Sequence, residues 1–495
     1  MSLSIDQKPL YNILPVGQEI IFTVSDSQIV ATKFNVKFTA VVTISTTSSG
    51  VNNITVPSTQ VATLEVNPNN SGVGIFSTNE ILESYVSPQY KGTDFNGVIQ
   101  SSWQNIKFTE DTPHPIHVID EFSLNKNNAT WFGLMFNVTW YDTADLINQQ
   151  TNSSLLLSEK YVIYNGVLDY DAILREDNGN YGFNLDVPKL VFNLEYGEKG
   201  KFLSNAPIEQ NASLEDYGTL AFFNFLSTAN DGFQIGAPSN PAPFIVQKMQ
   251  VKMYDSSDTL LATLGINNQV SNGGFKYNND DSITRFMYFG AFPANLRGHS
   301  NTFRNFMSNT SYYTIQALDN SPGTQIEISQ LYKINIKNQN ACAGFESIRL
   351  TWLNPHGAWD YYNFRMKSIR SLQTNRTNYT QLGGTWNDKQ YRINGYKGGK
   401  KNFRVNTKEI ITINTEFVTD EDAVWFEDLI NSTEVFILKG YVASGVAIRD
   451  GMTNRFVEPV SVTTSSYIRK TKVNDKLIQY TFELEKTNNK RTQSV

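Results

Sequence analysis

A chain of 495 residues has room for roughly three or four domains of about 150 residues each. Only 18% of it is charged and its balance is −6, which excludes a globally basic nucleic-acid binder and leaves only local basic patches for such a role. Abundant Asn, Thr, Ser, Tyr and Phe suit β-sheet joined by polar turns. The single cysteine, Cys342, rules out an intramolecular disulfide framework and reads as a small buried apolar residue.

The opening segment "MSLSIDQKPLYN" has no charged stretch followed by an apolar run. No later segment approaches the roughly 18 apolar residues of a membrane helix, so a soluble protein made in the cytoplasm, with no membrane partner, is expected. "FNVKFTAVVTIS" puts Phe34, Val36, Phe38, Ala40, Val42 and Ile44 on one strand face. A strand at "TLEV" runs into the turn-rich "NPNNSGVG". "NEILESYV" then reads as a short helix capped by Asn79, with Ile81, Leu82 and Tyr85 facing inward. Residues 1–92 are thus expected to form one sandwich-like unit closed by a helical turn.

From 93 to 340 strands alternate with polar loops. "WFGLMFNVTWYD", "LVFNLEYG", "FIVQKMQVKMYD" and "YTIQALD" read as strands, "EDNGNYG" and "SNPAPF" as turns. Strands at this spacing without long helices predict one or two sandwiches here, with a boundary near 205–240. The third region, 341–495, opens near "YKINIKN" and holds one well-marked helix. Thr419 caps it, Asp420, Glu421 and Asp422 suit its first turn, and Ala423, Phe426 and Ile430 line one face, extended by Trp425 and Leu429. The last strand, "QYTFELE", places Tyr480, Phe482 and Leu484 on one side. The fold class expected is mainly β: multidomain β-sandwiches, immunoglobulin-like or jelly-roll-like, with a few short helices.

Catalytic patterns are sparse. There is no G-x-S-x-G elbow, and the chain holds four histidines. His114 and His117, flanked by prolines, would point to opposite faces of a strand; His299 reads as a loop residue. Asp169, Asp171, Glu176 and Asp177 fit an acidic solvated turn better than a glycosidase pair, and "NNDDS" at 278–282 fits a polar loop better than a calcium site. No metal, cofactor or catalytic residue is assigned. The basic run "YKGGKKNFR" lacks the spacing of a phosphate-binding loop. Lys400, Lys401 and Arg404 fit a solvated hairpin, a nucleic-acid contact beside Tyr396 and Phe403, or docking on an acidic neighbouring subunit.

"RLTWLNPHGAWDYYNF" (349–364) is the densest aromatic stretch. Ile348, Leu350 and Trp352 alternate along a strand, and "NPHG" fits a type I turn with Asn354 first, Pro355 second and Gly357 fourth. A second strand then places Asp360, Tyr362 and Phe364 on one face and Trp359 and Tyr361 on the other. His356 sits at the tip with nothing to orient it as a base. More rings are present than a half-exposed hairpin needs, so the surplus packs a domain junction, meets another subunit or stacks on sugar.

Four segments in order, "TLEVNPNNSGVGIFSTNEILESYV", "ESIRLTWLNPHGAWDYYNF", "NTEFVTDEDAVWFEDLINSTEVFIL" and "SSYIRKTKVNDKLIQYTFELE", resemble virion structural proteins of tailed bacteriophages, particularly the short-tailed crAss-like phages of Bacteroidetes hosts. The resemblance covers the first 90 residues and roughly the last 150. Two glycines would be expected before Trp359; Gly357 and Ala358 stand there instead. The resemblance implies a non-enzymatic tail, neck or collar component assembled as a homo-oligomeric ring, with other tail, portal or collar proteins as partners and the virion as location. Interface candidates are Trp352, His356, Trp359, Tyr361, Tyr362, Phe364, Trp425, Lys400, Lys401 and Arg404. The alternatives are a peripheral tail protein binding a host receptor or surface glycan, and a glycan-degrading tail enzyme. Nucleic acid is not an expected partner.

Overall fold

The computed structural model describes residues 3–9, 13–45, 59–87, 129–167, 199–223, 246, 248–267, 286–319, 325–337, 345–385, 389–438, 457–468, 478–487 and 490–491. The fold is mainly β, with several sheets and a few short helices. It divides into two compact units: Met1–Asn338 with Leu353–Asp360 and Gly440–Asn454, and Gln339–Trp352 with Tyr361–Lys439 and Arg455–Val495.

The first unit begins with two packed sheets. One orders Ser4–Gln7, Ile21–Ser25 and Val73–Ser77. The other orders Ile13–Pro15, Tyr161–Tyr164, Ala129–Tyr141, Phe34–Ser45 and Thr59–Val66. The inward residues Phe22 and Phe76 of the first sheet meet Phe38, Phe132, Phe136 and Tyr161 of the second. Phe132 and Tyr161 stack at 5.4 Å and Phe22 stands edge-on to Tyr161 at 5.6 Å. Burying each ring stabilises the unit by about 1.5–3 kcal/mol relative to exposure. The "NPNNSGVG" break carries the chain from one sheet to the other. Asn69 Oδ1 accepts from the backbone N of Ser71 and Val73, and Gly72 takes φ +78.

This sheet crosses the boundary expected at 92. Phe34–Ser45 pairs with Ala129–Tyr141 from Lys37 opposite Thr139 to Ser45 opposite Trp131. Alternation shows that a strand exists and which face it buries, not which distant strand pairs with it. A second pair of sheets follows. One orders Glu209–Ala212, Tyr332–Ile336, Tyr312–Asp319, Lys248–Tyr254 and Leu260–Asn267; the other pairs Thr219–Phe223 with Phe286–Gly290. Gly200 already bridges Ser329, so the boundary expected near 205–240 falls inside a folded sheet system, which is under way by residue 200.

The second unit is one eight-stranded sheet with a helix against it. Its order is Trp359–Phe364, Ile348–Leu353, Val435–Leu438, Val457–Val462, Thr481–Lys486, Gly399–Asn414 and Ile369–Gln381, with Lys490–Arg491 beside Gly399–Asn414. The helix Asp420–Asn431 starts where expected. Thr419 accepts from the Asp422 backbone while the Asp422 carboxylate accepts from the Thr419 N–H, a complete capping box.

Local departures have local causes. Phe34 is exposed although Val36, Phe38, Ala40 and Val42 are buried. Asn35 has φ +46 and the register shifts between Phe34 and Lys37, so a bulge turns Phe34 off the face. In the helix Asn79–Glu83 the N-cap is Thr78, Leu82 and the following Val86 are buried, and Tyr85 faces out. His114, His117, Asp169, Asp171, Glu176, Asp177, Asn278–Ser282, Cys342 and the strand expected at 190–197 lie outside the described residues, as does the His299 side chain.

Candidate functional site

The aromatic hairpin is formed as the sequence dictates. Gly357 N donates to Asn354 O at 3.0 Å and Asn354 N to Ala358 O at 2.8 Å, which is a type I turn closed by a glycine bulge. Gly357 has φ +74, and a Cβ there would stand 2.0 Å from the Asn165 carbonyl oxygen. Both the backbone angle and the space therefore demand glycine. The loop is held on both sides, since Val167 N donates to Pro355 O at 2.7 Å and the Tyr288 hydroxyl to Gly357 O at 3.3 Å.

Asn354 is the centre of the turn. Its buried side-chain oxygen accepts from the N–H groups of His356 and Ala358, both at 3.0 Å. Its Nδ2 donates to Leu203 O at 2.9 Å and to Asp360 Oδ1 at 3.1 Å. Ser204 Oγ also donates to Asp360, at 2.5 Å. The serine is thus bonded to the carboxylate rather than to His356, whose Nε2 lies 3.1 Å from Asn205 Oδ1. Burial holds the His356 pKa down at about 4, so the ring is neutral at neutral pH. The three chemically suggestive residues are brought together, but as a turn lock and not as a nucleophile, base and orienter in series.

The rings proposed for an interface pack the chain's own interior. Trp352 meets Trp425 at 5.0 Å, Tyr362 stands edge-on to Phe426 at 4.9 Å, and Phe364 packs on Phe482 at 5.8 Å. Tyr361 lies under the Arg349 guanidinium at 5.1 Å, and Trp359 is buried too. Both faces of the hairpin are covered, which explains the ring surplus without a second chain.

Lys400, Lys401 and Arg404 have a different setting. Ile369–Gln381 and Gly399–Asn414 are strands of 13 and 16 residues, paired from Ile369 opposite Thr412 to Gln381 opposite Gly399. Thr481–Lys486 covers the second strand only from Ile410 to Asn414, and Lys490–Arg491 only at Asn406 and Thr407. Beyond those points the two strands run on from Arg376 opposite Val405 to Gln381 opposite Gly399 as a two-stranded ribbon, an arm about 20–25 Å long before its tip at about 3.4 Å per residue. Residues 369–378 are exposed without alternation, so both faces of the arm meet solvent. At its base Arg370 Nη2 holds both Glu346 oxygens, at 2.7 and 2.9 Å. The tip folds back on itself, with Thr385 N donating to Arg392 O and Asn394 N to Gly383 O.

The tip exposes large apolar side chains: Leu382, Tyr391, Ile393 and Tyr396 are 70–79% exposed, and Phe403 lies bare beside Arg404. Lys397 sits 5.7 Å over the Tyr396 ring and Lys401 Nζ donates to Tyr396 O. Sequence reading found the hairpin's basic run but missed the arm. "IRSLQTNRTNYTQ" has no apolar alternation, because neither of its faces is buried. The available signals were its Thr content and the Gly398–Gly399 pair, both residues at positive φ.

Among the described residues, no three His, Cys, Asp or Glu side chains gather as a metal site would, and no helix is long and apolar enough to cross a membrane. The chain matches no known family and no curated protein. Among solved structures it is similar to the native conformation of E. coli alpha-2-macroglobulin at 7% identity, over 83% of this chain and 21% of that one, with a TM-score of 0.19. Salmonella alpha-2-macroglobulin reacted with methylamine gives 8% identity, 97% and 23% coverage, and a TM-score of 0.19. The chain spans under a quarter of the length of either, and likeness at this level carries no argument about fold or function.

Proposed function

We propose that this chain is a structural subunit of a tailed-phage virion, part of a tail, neck or collar ring, whose work lies in contacts with its own copies and with neighbouring tail, portal or collar proteins. The observation that carries the reading is the arm. A two-stranded ribbon with both faces in water is marginal by itself, and a cluster of exposed Leu, Ile and Tyr at its end is the kind of surface that a partner covers. The four ordered segments that resemble virion proteins support the virion as its setting, and the series of β-rich modules suits a building block. No reaction is part of the proposal.

Negative-stain electron microscopy of the purified full chain tests the assembly, and mass spectrometry of particles from the phage encoding it tests the location. Closed rings and stoichiometric peptides are expected. A chain that stays monomeric and is absent from particles contradicts the reading. A second reading, a peripheral glycan-binding tail protein, draws on the bare rings of Tyr391 and Tyr396, which could stack on sugar. Retention on host surface glycan, lost in Tyr391→Ala/Tyr396→Ala, would favour it.

A further inference from the structure

The arm and one other surface of the same unit are complementary in charge and in apolar character. Residues 369–414 hold nine Lys or Arg against two Asp or Glu, a balance of +7 in a chain of −6, so the remainder carries −13. The opposite extreme follows directly: residues 414–437 contain Glu416, Asp420, Glu421, Asp422, Glu427, Asp428 and Glu434 and no Lys or Arg. On the helix Asp420–Asn431, positions 420, 424, 427 and 428 share one face by the three- and four-residue spacing. That face joins carboxylates to the exposed Val424, with the exposed Phe417 just ahead of the helix. The opposite face is spent on the core, where Trp425 and Phe426 are buried.

We infer that the arm of one copy docks on the acidic face of this helix in the next copy, with Tyr391, Ile393 and Tyr396 covering Val424 and Phe417 while Lys400, Lys401 and Arg404 face the carboxylates. This rests on the assembly reading above and names its interface. A second copy is the occupant because the tip side chains, Asp420, Glu421 and Val424 are all exposed in the single chain, so the two surfaces do not cover each other in cis. Two different surfaces meeting copy to copy make a heterologous contact, the kind that propagates around a ring. Edge protection alone would account for the lysines on Gly399–Asn414 where, along the arm, no third strand covers its far edge. It does not account for bare tyrosines and isoleucine beside them.

The test is a charge swap in the full chain, read by analytical ultracentrifugation. One variant carries Lys400→Glu, Lys401→Glu and Arg404→Glu; the other carries Glu427→Lys and Asp428→Lys, in the last turns of the helix where positive charge suits its dipole. Circular dichroism and thermal melts check that both fold as wild type does. Self-association of wild type should weaken at least tenfold between low salt and half-molar salt. Each variant alone should associate at least tenfold more weakly than wild type, and an equimolar mixture of the two should recover association. If wild type assembles while both variants assemble equally well, this interface is wrong and the ring reading stands. If wild type never assembles, both fall. Binding of a duplex oligonucleotide by the arm, with self-association unchanged by the reversal, would overturn the proposal in favour of a nucleic-acid contact.

Discussion

Gly357 and Asn354 bear different loads in the same turn. Gly357→Ala puts a Cβ into a carbonyl oxygen at a left-handed backbone position, and a loss of about 3 kcal/mol or more is expected from chemical denaturation. Asn354→Ala removes four hydrogen bonds and strands buried partners, for about 2–4 kcal/mol. His356 adds a pH signature. Its folded pKa, about 4, lies below its ordinary value near 6.5, so the unfolded chain binds the extra proton between those limits. Stability is therefore complete above about pH 6.5 and declines as pH falls toward 4, by on the order of 1–3 kcal/mol. Urea midpoints at pH 7 and pH 5 should separate more for wild type than for His356→Asn; equal separations would contradict it. The turn itself was legible, because Asn, Pro and Gly each mark a position by chemistry. The bonds from Asn354 to Leu203 and Asp360 were only half so. The Leu203 partner is 151 residues away, and no local pattern announces it.

At the scale of elements, the helix Asp420–Asn431 is where sequence reading worked best. Cap, acidic first turn and inward face are all local, and the structure reproduces them. Thr419→Ala should lower stability by about 1 kcal/mol through the lost cap. Trp425→Ala should cost about 3–5 kcal/mol, because its ring lies among Trp352, Tyr362 and Phe426. A much smaller loss for Trp425→Ala would mean that the face is not buried in solution. The strand Thr481–Lys486, expected as the last, was nearly as plain, with Phe482 and Leu484 buried along it and Tyr480 buried just ahead of it, although Lys490–Arg491 follows it. The arm was not, since strand periodicity records burial on one side and this ribbon has none. Its long polar strands are visible only through pairing, and its exposed rings only once the tip is placed.

On the scale of the molecule, strand pairing runs past the division expected at 92. A sheet shared by Phe34–Ser45 and Ala129–Tyr141 ties the early strands to later ones, whereas the first long segment of one compact unit ends at Asn338. Pairing across long stretches of chain is invisible to windowed reading. Function follows the same pattern. The aromatic hairpin that drew attention in the sequence serves the interior, and the surface suited to partners is a ribbon of modest local character. The central claim, that this ribbon makes the chain an assembling subunit, is tested most directly by removing it. Residues 377–404 are replaced by Asn-Gly, which closes the shortened strands with a tight turn, and the variant is sedimented beside wild type. A folded variant with wild-type circular dichroism that sediments as a monomer, while wild type sediments as a closed multi-copy ring, is the predicted result; a variant that still assembles into the same ring would contradict it.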